Sequence, residues 1–128
     1  MRILLDTHTF LWAGVEAEKL SSKAQNIFLN NKNDLYLSIA SIWEIAIKHS
    51  LNKISFNKPM EAYLLESLNK NTIKILSIDF RHAIRVSTLP FHHRDPFDRL
   101  IVSQSLEEKI SILSCDETLD AYDVERLW

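Results

Sequence analysis

Arg2-Ile3-Leu4-Leu5-Asp6 is the stretch that decides the fold. Its apolar residues run without alternation, which suits a strand buried on both faces, as in a parallel sheet. A carboxylate closes the run, and the residues after it continue as a helix through Phe10, Leu11 and Trp12. The same grammar returns along the chain. Leu35-Tyr36-Leu37, Ile73 to Leu76 and Ser111 to Ser114 read as further strands, the last ending just before Asp116, and Val124 to Trp128 reads as a short edge strand.

Helices are expected between the strands. Ser21 or Ser22 caps one running to about Asn30, Ser38 caps another, a third spans Pro59 to Leu68, and a fourth spans Phe80 to Ser87. Asp95-Pro96 has the form of an N-cap followed by proline in the first turn, so the last long helix runs from Pro96 to Glu108. After Ser38, the residues Ile39, Ile42, Trp43, Ala46 and Ile47 recur at helical spacing and read as the buried stripe, with Glu44 at its border. Strands alternating with helices call for an α/β fold, a parallel sheet covered on both faces with right-handed crossovers. Ligands bind such sheets beyond the carboxyl ends of the strands, where Asp6 and Asp116 fall.

With 128 residues, 46% of them hydrophobic, the chain is expected to form one compact domain over residues 1–128 without disulfides. The single cysteine, Cys115, sits in apolar surroundings and reads as a packed, reduced thiol, which favours the cytoplasm. The opening apolar run is too short for a signal-peptide core or a membrane span. One glycine and three prolines imply few unusual backbone angles and exclude a Gly-rich phosphate loop. A net charge of −2 lacks the basic excess common in nucleic-acid binders, yet Arg81, His82, Arg85, His92, His93, Arg94 and Arg99 collect in one stretch and can form a basic rim around an acidic centre.

That centre comprises Asp6, Glu44, Asp98 and Asp116. Carboxylates gathered within a few ångströms repel one another, so such a set must take up protons or bind cations. Hard oxygen ligands suit Mg²⁺ or Mn²⁺, ions that orient and acidify water and stabilise both oxygens of an in-line displacement at phosphorus. Each acid also has a plainer explanation in capping. Asp6 can cap the helix after the first strand; Glu44 can answer Ser41, Asp98 can answer Asp95, and Glu117 can answer Ser114 in capping boxes, leaving Asp116 a turn residue. The two explanations stand side by side on spacing alone. His8, His92 and His93 lack zinc-ligand spacing and suit hydrogen bonding better. Arg94 and Arg99 are placed to offset the acids or touch phosphate. Trp12 and Trp43 are expected in the core, whereas Phe97, at a helix start, is as well placed to stack on a base.

The segments LLDTHTFLW (4–12), SIASIWEIAIK (38–48), LPFHHRDPFDRLIVSQS (89–105) and ILSCDETLDAY (112–122) together resemble the PIN-domain family, specifically the VapC-like toxins of bacterial type II toxin–antitoxin pairs. The resemblance implies an α/β sandwich with a parallel sheet of about five strands. It also implies a Mg²⁺- or Mn²⁺-dependent endoribonuclease acting on transfer or ribosomal RNA, a cognate antitoxin and a homodimer. The family's acids fall on Asp6, Glu44, Asp98 and Asp116, with Asp95 as an extra acid of one branch and Thr7 and Ser38 as supporting hydroxyls. Cys115 departs from the threonine or arginine that often precedes the last acid.

Two other functions compete. An aspartate phosphatase would use Asp6 as nucleophile, but the second aspartate expected two residues on is His8. A non-catalytic protein-binding module would leave the acids structural.

Overall fold

The computed structural model describes residues 1–128. Its strands are β1 (Arg2–Leu5), β2 (Asp34–Ser38), β3 (Lys74–Leu76), β4 (Ser111–Leu113) and β5 (Arg126–Leu127). Its helices are α1 (Thr7–Val15), α2 (Ser22–Leu29), α3 (Ile39–Ser50), α4 (Met60–Lys70), α5 (Phe80–Arg85) and α6 (Pro96–Glu108), with short 3₁₀ turns at Ala17–Lys19, Val86–Thr88 and Glu117–Ala121. No helix is long and apolar enough to cross a membrane.

All five strands run parallel in the order β3-β2-β1-β4-β5. Side chains along β1 divide between the two faces. Ile3 and Leu5 enter one core with Leu37, Ile45, Leu64 and Leu113, while Leu4 enters a second with Ile101, Val102, Ile112 and Tyr122. This two-sided burial is what the unbroken apolar run demanded. Successive connections move outward from β1 to β3 on one side, and the chain then returns to place β4 on the other side of β1. A crevice therefore opens beyond the ends of β1 and β4, where Leu5 and Leu113 are register partners.

Two expectations fail here. The buried residues of α3 are Ala40, Ser41, Glu44 and Ile45. Of the apolar stripe, Ile42 packs against the first core, but Ile39, Trp43 and Ile47 are exposed, Trp43 by 54%. The helix is thus rolled so that a serine and a glutamate face the crevice instead of the apolar row. Glycine count also misled: Asn52, Thr72 and Lys109 all adopt left-handed φ, and the one glycine, Gly14, lies inside α1. Each left-handed residue follows a helix, whose last carbonyls it satisfies by turning the chain back.

Candidate functional site

Asp6 is the first residue past β1. It stands at the N-cap position of α1, yet its side chain makes no capping hydrogen bond. Its Oδ2 instead accepts from the Ser114 hydroxyl at 2.6 Å, and its backbone N–H continues the ladder to the Leu113 carbonyl at 3.1 Å. The capping explanation of Asp6 is thereby overturned, because the carboxylate points across the crevice toward the end of β4.

Asp116 does both jobs at once. Its Oδ1 accepts the Thr118 N–H at 3.0 Å and so caps the 3₁₀ turn, while Oδ2 meets His93 Nε2 at 2.7 Å. Its own N–H donates to the Ser114 hydroxyl at 3.0 Å. Ser114 therefore joins Asp6 to Asp116 through one buried oxygen, and no Ser114–Glu117 box forms. Burial pushes the Asp116 carboxyl up, but the hydrogen bonds from His93 and Thr118 outweigh it and hold it below the usual carboxylate range.

Glu44 is 7% exposed on the inward face of α3 and pairs with Lys48 Nζ at 2.9 Å. It answers no capping box, since Ser41 accepts instead from the Thr7 hydroxyl and Ser38 caps α3 through the Ala40 N–H. Asp98 lies in the first turn of α6. Its carboxyl is raised to about 7, chiefly by burial and then by the charges of Asp95, Asp6 and, more weakly, Glu44, with His93 opposing. Asp6 and Glu44 are thus both near enough for their charges to act on Asp98. Asp95 differs from them: exposed, it spends its side chain on capping α6 through the Phe97 N–H.

Several supporting readings are corrected. Thr7 and Ser38 bond to Ser41 and Gln104, not to the acids. Arg99 is buried, and its guanidinium donates to the carbonyls of Val86, Leu89, Pro90 and His93, anchoring the loop before α6 instead of facing solvent. His82 is buried too, so the basic rim shrinks to the exposed Arg81, His92 and Arg94 with the half-exposed Arg85. Cys115 is exposed on the turn after β4, although partial desolvation and the Asp6 charge raise its thiol pKa and keep it a poor nucleophile. Phe97 packs edge-on against Trp43, centroids 5.1 Å apart. Sequence reasoning missed Ser114 as a partner of the acids, although it stands two residues from Asp116, and it gave His93 a hydrogen-bonding role in the rim without naming Asp116 as the partner.

Asp79, His82 and Glu108 form the one set of three acidic or histidine side chains whose ligand atoms lie within 4.8 Å of one another. The four acids at the crevice are spaced more widely. The tight triad is committed to structure, however. His82 Nδ1 accepts the Asp79 N–H at 3.0 Å in a capping box, and Nε2 faces Glu108 at 2.8 Å, so both ring nitrogens are used. A groove of about 480 Å³ also lies elsewhere, lined by Leu11, Trp12, Val15, Phe56 and Tyr63 among others.

Can the crevice hold a divalent cation? Its donors are carboxylate and hydroxyl oxygens, and Asp98 already bears a repulsion that a cation would relieve. The residues present fit Mg²⁺ or Mn²⁺.

A family model described as PIN domain matches residues 3–125. No curated protein matches the sequence. Among solved structures, a chain of VapBC2 from Rickettsia felis, crystallised bound to a DNA fragment from their promoter, aligns with a TM-score of 0.70 at 12% identity, covering 99% of this chain and 98% of that one. A chain of FitAcB from Neisseria gonorrhoeae aligns with a TM-score of 0.64 at 17% identity, covering 98% and 96%. At these identities the likeness establishes the fold.

Proposed function

The chain belongs to the PIN domain family, and from that premise we propose that it is a metal-dependent endoribonuclease, the toxin of a type II toxin–antitoxin pair acting in the cytoplasm. The observation that supports this most is Asp98, a half-buried carboxyl lifted to about 7 by burial and by neighbouring carboxylates, against which His93 and, beside Glu44, Lys48 offer only partial compensation. Groups so perturbed at a crevice are where chemistry concentrates.

In this reading Asp6, Asp98 and Asp116 hold Mg²⁺ or Mn²⁺, and Glu44 assists in holding it or orients water. A bound ion supplies Lewis acidity toward water and countercharge for the phosphodiester. The chain's own part is to hold the acids. Ser114 orients Asp6, Thr118 and His93 orient Asp116, and Lys48 limits the charge at Glu44. Arg94, exposed and adjacent in the chain to His93 and Asp95, is a cation available to RNA phosphate.

The partners in this reading are a cognate antitoxin, in keeping with the VapBC2 and FitAcB complexes to which the fold is similar, and a second copy of this chain, which the family resemblance alone implies. The exposed row of Ile39, Trp43 and Ile47 is the kind of surface a protein covers.

The test is cleavage of purified transfer and ribosomal RNA with Mg²⁺ or Mn²⁺ by wild type, Asp6→Asn and Asp98→Asn, folding checked by circular dichroism. Wild type should cut, and each variant should lose about 100-fold or more, the scale on which removal of a charge-stabilising group is felt. Equal cleavage by all three would sink the mechanism.

A further inference from the structure

His93 lies outside the acidic set, yet its environment is more constrained than that of any other histidine near the crevice. Its side chain is 9% exposed, and its ring stacks on Tyr122 with 13° between planes. The Tyr122 hydroxyl meets both the His93 backbone N–H, at 3.0 Å, and Nδ1, at 3.1 Å. The Asp116 carboxylate can only accept, so Nε2 must donate to it; in a neutral ring Nδ1 is then the acceptor and takes the phenol proton, while the phenol oxygen accepts the backbone N–H. A neutral ring then carries its proton on Nε2, the atom 2.7 Å from Asp116 Oδ2. The opposite tautomer would turn a lone pair on the carboxylate. A doubly protonated ring also donates from Nε2, so the bond to Asp116 keeps its direction in either state.

The loop bearing His93 is fixed from below as well. Arg99 Nη1 donates to the Pro90 carbonyl at 2.9 Å and to that of His93 at 3.5 Å, and Nη2 donates to Val86 at 3.0 Å. A capping aspartate needs none of this, because the Thr118 N–H alone satisfies that role.

We infer that Tyr122 and His93 form a positioning relay that sets the orientation of Asp116 for cation binding, the phenol fixing the imidazole and the imidazole fixing the carboxylate. The inference rests on the proposed role of Asp116 as a metal ligand. Outer partners of this kind orient ligating groups, and their loss typically weakens metal binding by about 10- to 100-fold.

The test titrates Mn²⁺ alone into metal-free protein by calorimetry, with melting temperatures of the metal-free variants measured in parallel. His93→Ala should weaken Mn²⁺ binding about 10- to 100-fold, and Tyr122→Phe, which keeps the ring in the core, should weaken it less. His93→Gln, whose amide donates from a similar place, should recover most of the affinity. Should His93→Ala fail to fold, the Gln and Phe variants carry the comparison. The relay is overturned if His93→Ala and Tyr122→Phe bind within twofold of wild type while Asp116→Asn binds weakly, a result that leaves the acidic site standing. It is equally overturned if Gln restores nothing and both His93 variants melt far below wild type, since the loss is then general. Absence of Mn²⁺ binding by wild type would remove the acidic site and the relay together.

Discussion

Asp98 concentrates the tension of the site. Its folded pKa of about 7 stands above the ordinary aspartate value of 3.8, so the folded state binds this proton more tightly than the unfolded chain does. Stability from that source is complete below the unfolded value and is lost as pH rises toward and through 7. In EDTA, the melting temperature of wild type minus that of Asp98→Asn should therefore fall between about pH 4 and pH 7 and level off above that. A difference that is flat or grows with pH would contradict the crowded-acid account. Ser114 concentrates the connectivity. Ser114→Ala removes the donor to Asp6 and the acceptor for the Asp116 N–H, both in a buried setting, and is expected to cost about 1–3 kcal/mol by urea denaturation.

Helix ends carry the strain at the next scale. After α4, the Thr72 N–H bonds the Asn69 carbonyl at 3.2 Å and the Ile73 N–H bonds that of Leu68 at 2.8 Å, the two-bond pattern that closes a helix through a left-handed residue. Glycine is favoured there, and Thr72 holds φ of 53° with a branched Cβ. Thr72→Gly should stabilise the protein by about 1 kcal/mol, read from the urea midpoint at unchanged slope. Lack of any gain would mean that the threonine side chain has compensating contacts. Within α3 the decision runs the other way. Inward-facing Ser41 and Glu44 cost apolar burial and leave Trp43 outside, a local concession that makes sense where a carboxylate is needed at the crevice.

Over the whole molecule, Asp6 after β1 and Asp116 after β4 share Ser114 only because the sheet order places β4 beside β1, and the charges of Asp6 and Glu44 are felt at Asp98 on α6. A cation binding the folded chain and not the unfolded one must raise the melting temperature. At about 100 times Kd the stabilisation is about 2.7 kcal/mol, or roughly 10 °C for a chain of this size. Mn²⁺ should produce that rise in wild type and little of it in Asp98→Asn; an unmoved wild-type melting curve at millimolar Mn²⁺ would favour a purely structural role for the acids.

Much of this was legible in the chain itself. An unbroken apolar run announced β1, serine and Asp-Pro caps announced α2, α3 and α6, and the four candidate acids were picked out by strand ends and one helix face together with the family resemblance. These signals are local, set by residues within a few positions of one another. Which side of α3 is buried, that Arg99 is an anchor and not a rim charge, and that Asp6 serves Ser114 and not its own helix could not be read that way. Each depends on a partner far along the chain, 108 residues away for Asp6 and Ser114. Periodicity reports that a helix has an apolar row; only packing decides whether that row or the carboxylate beside it turns inward.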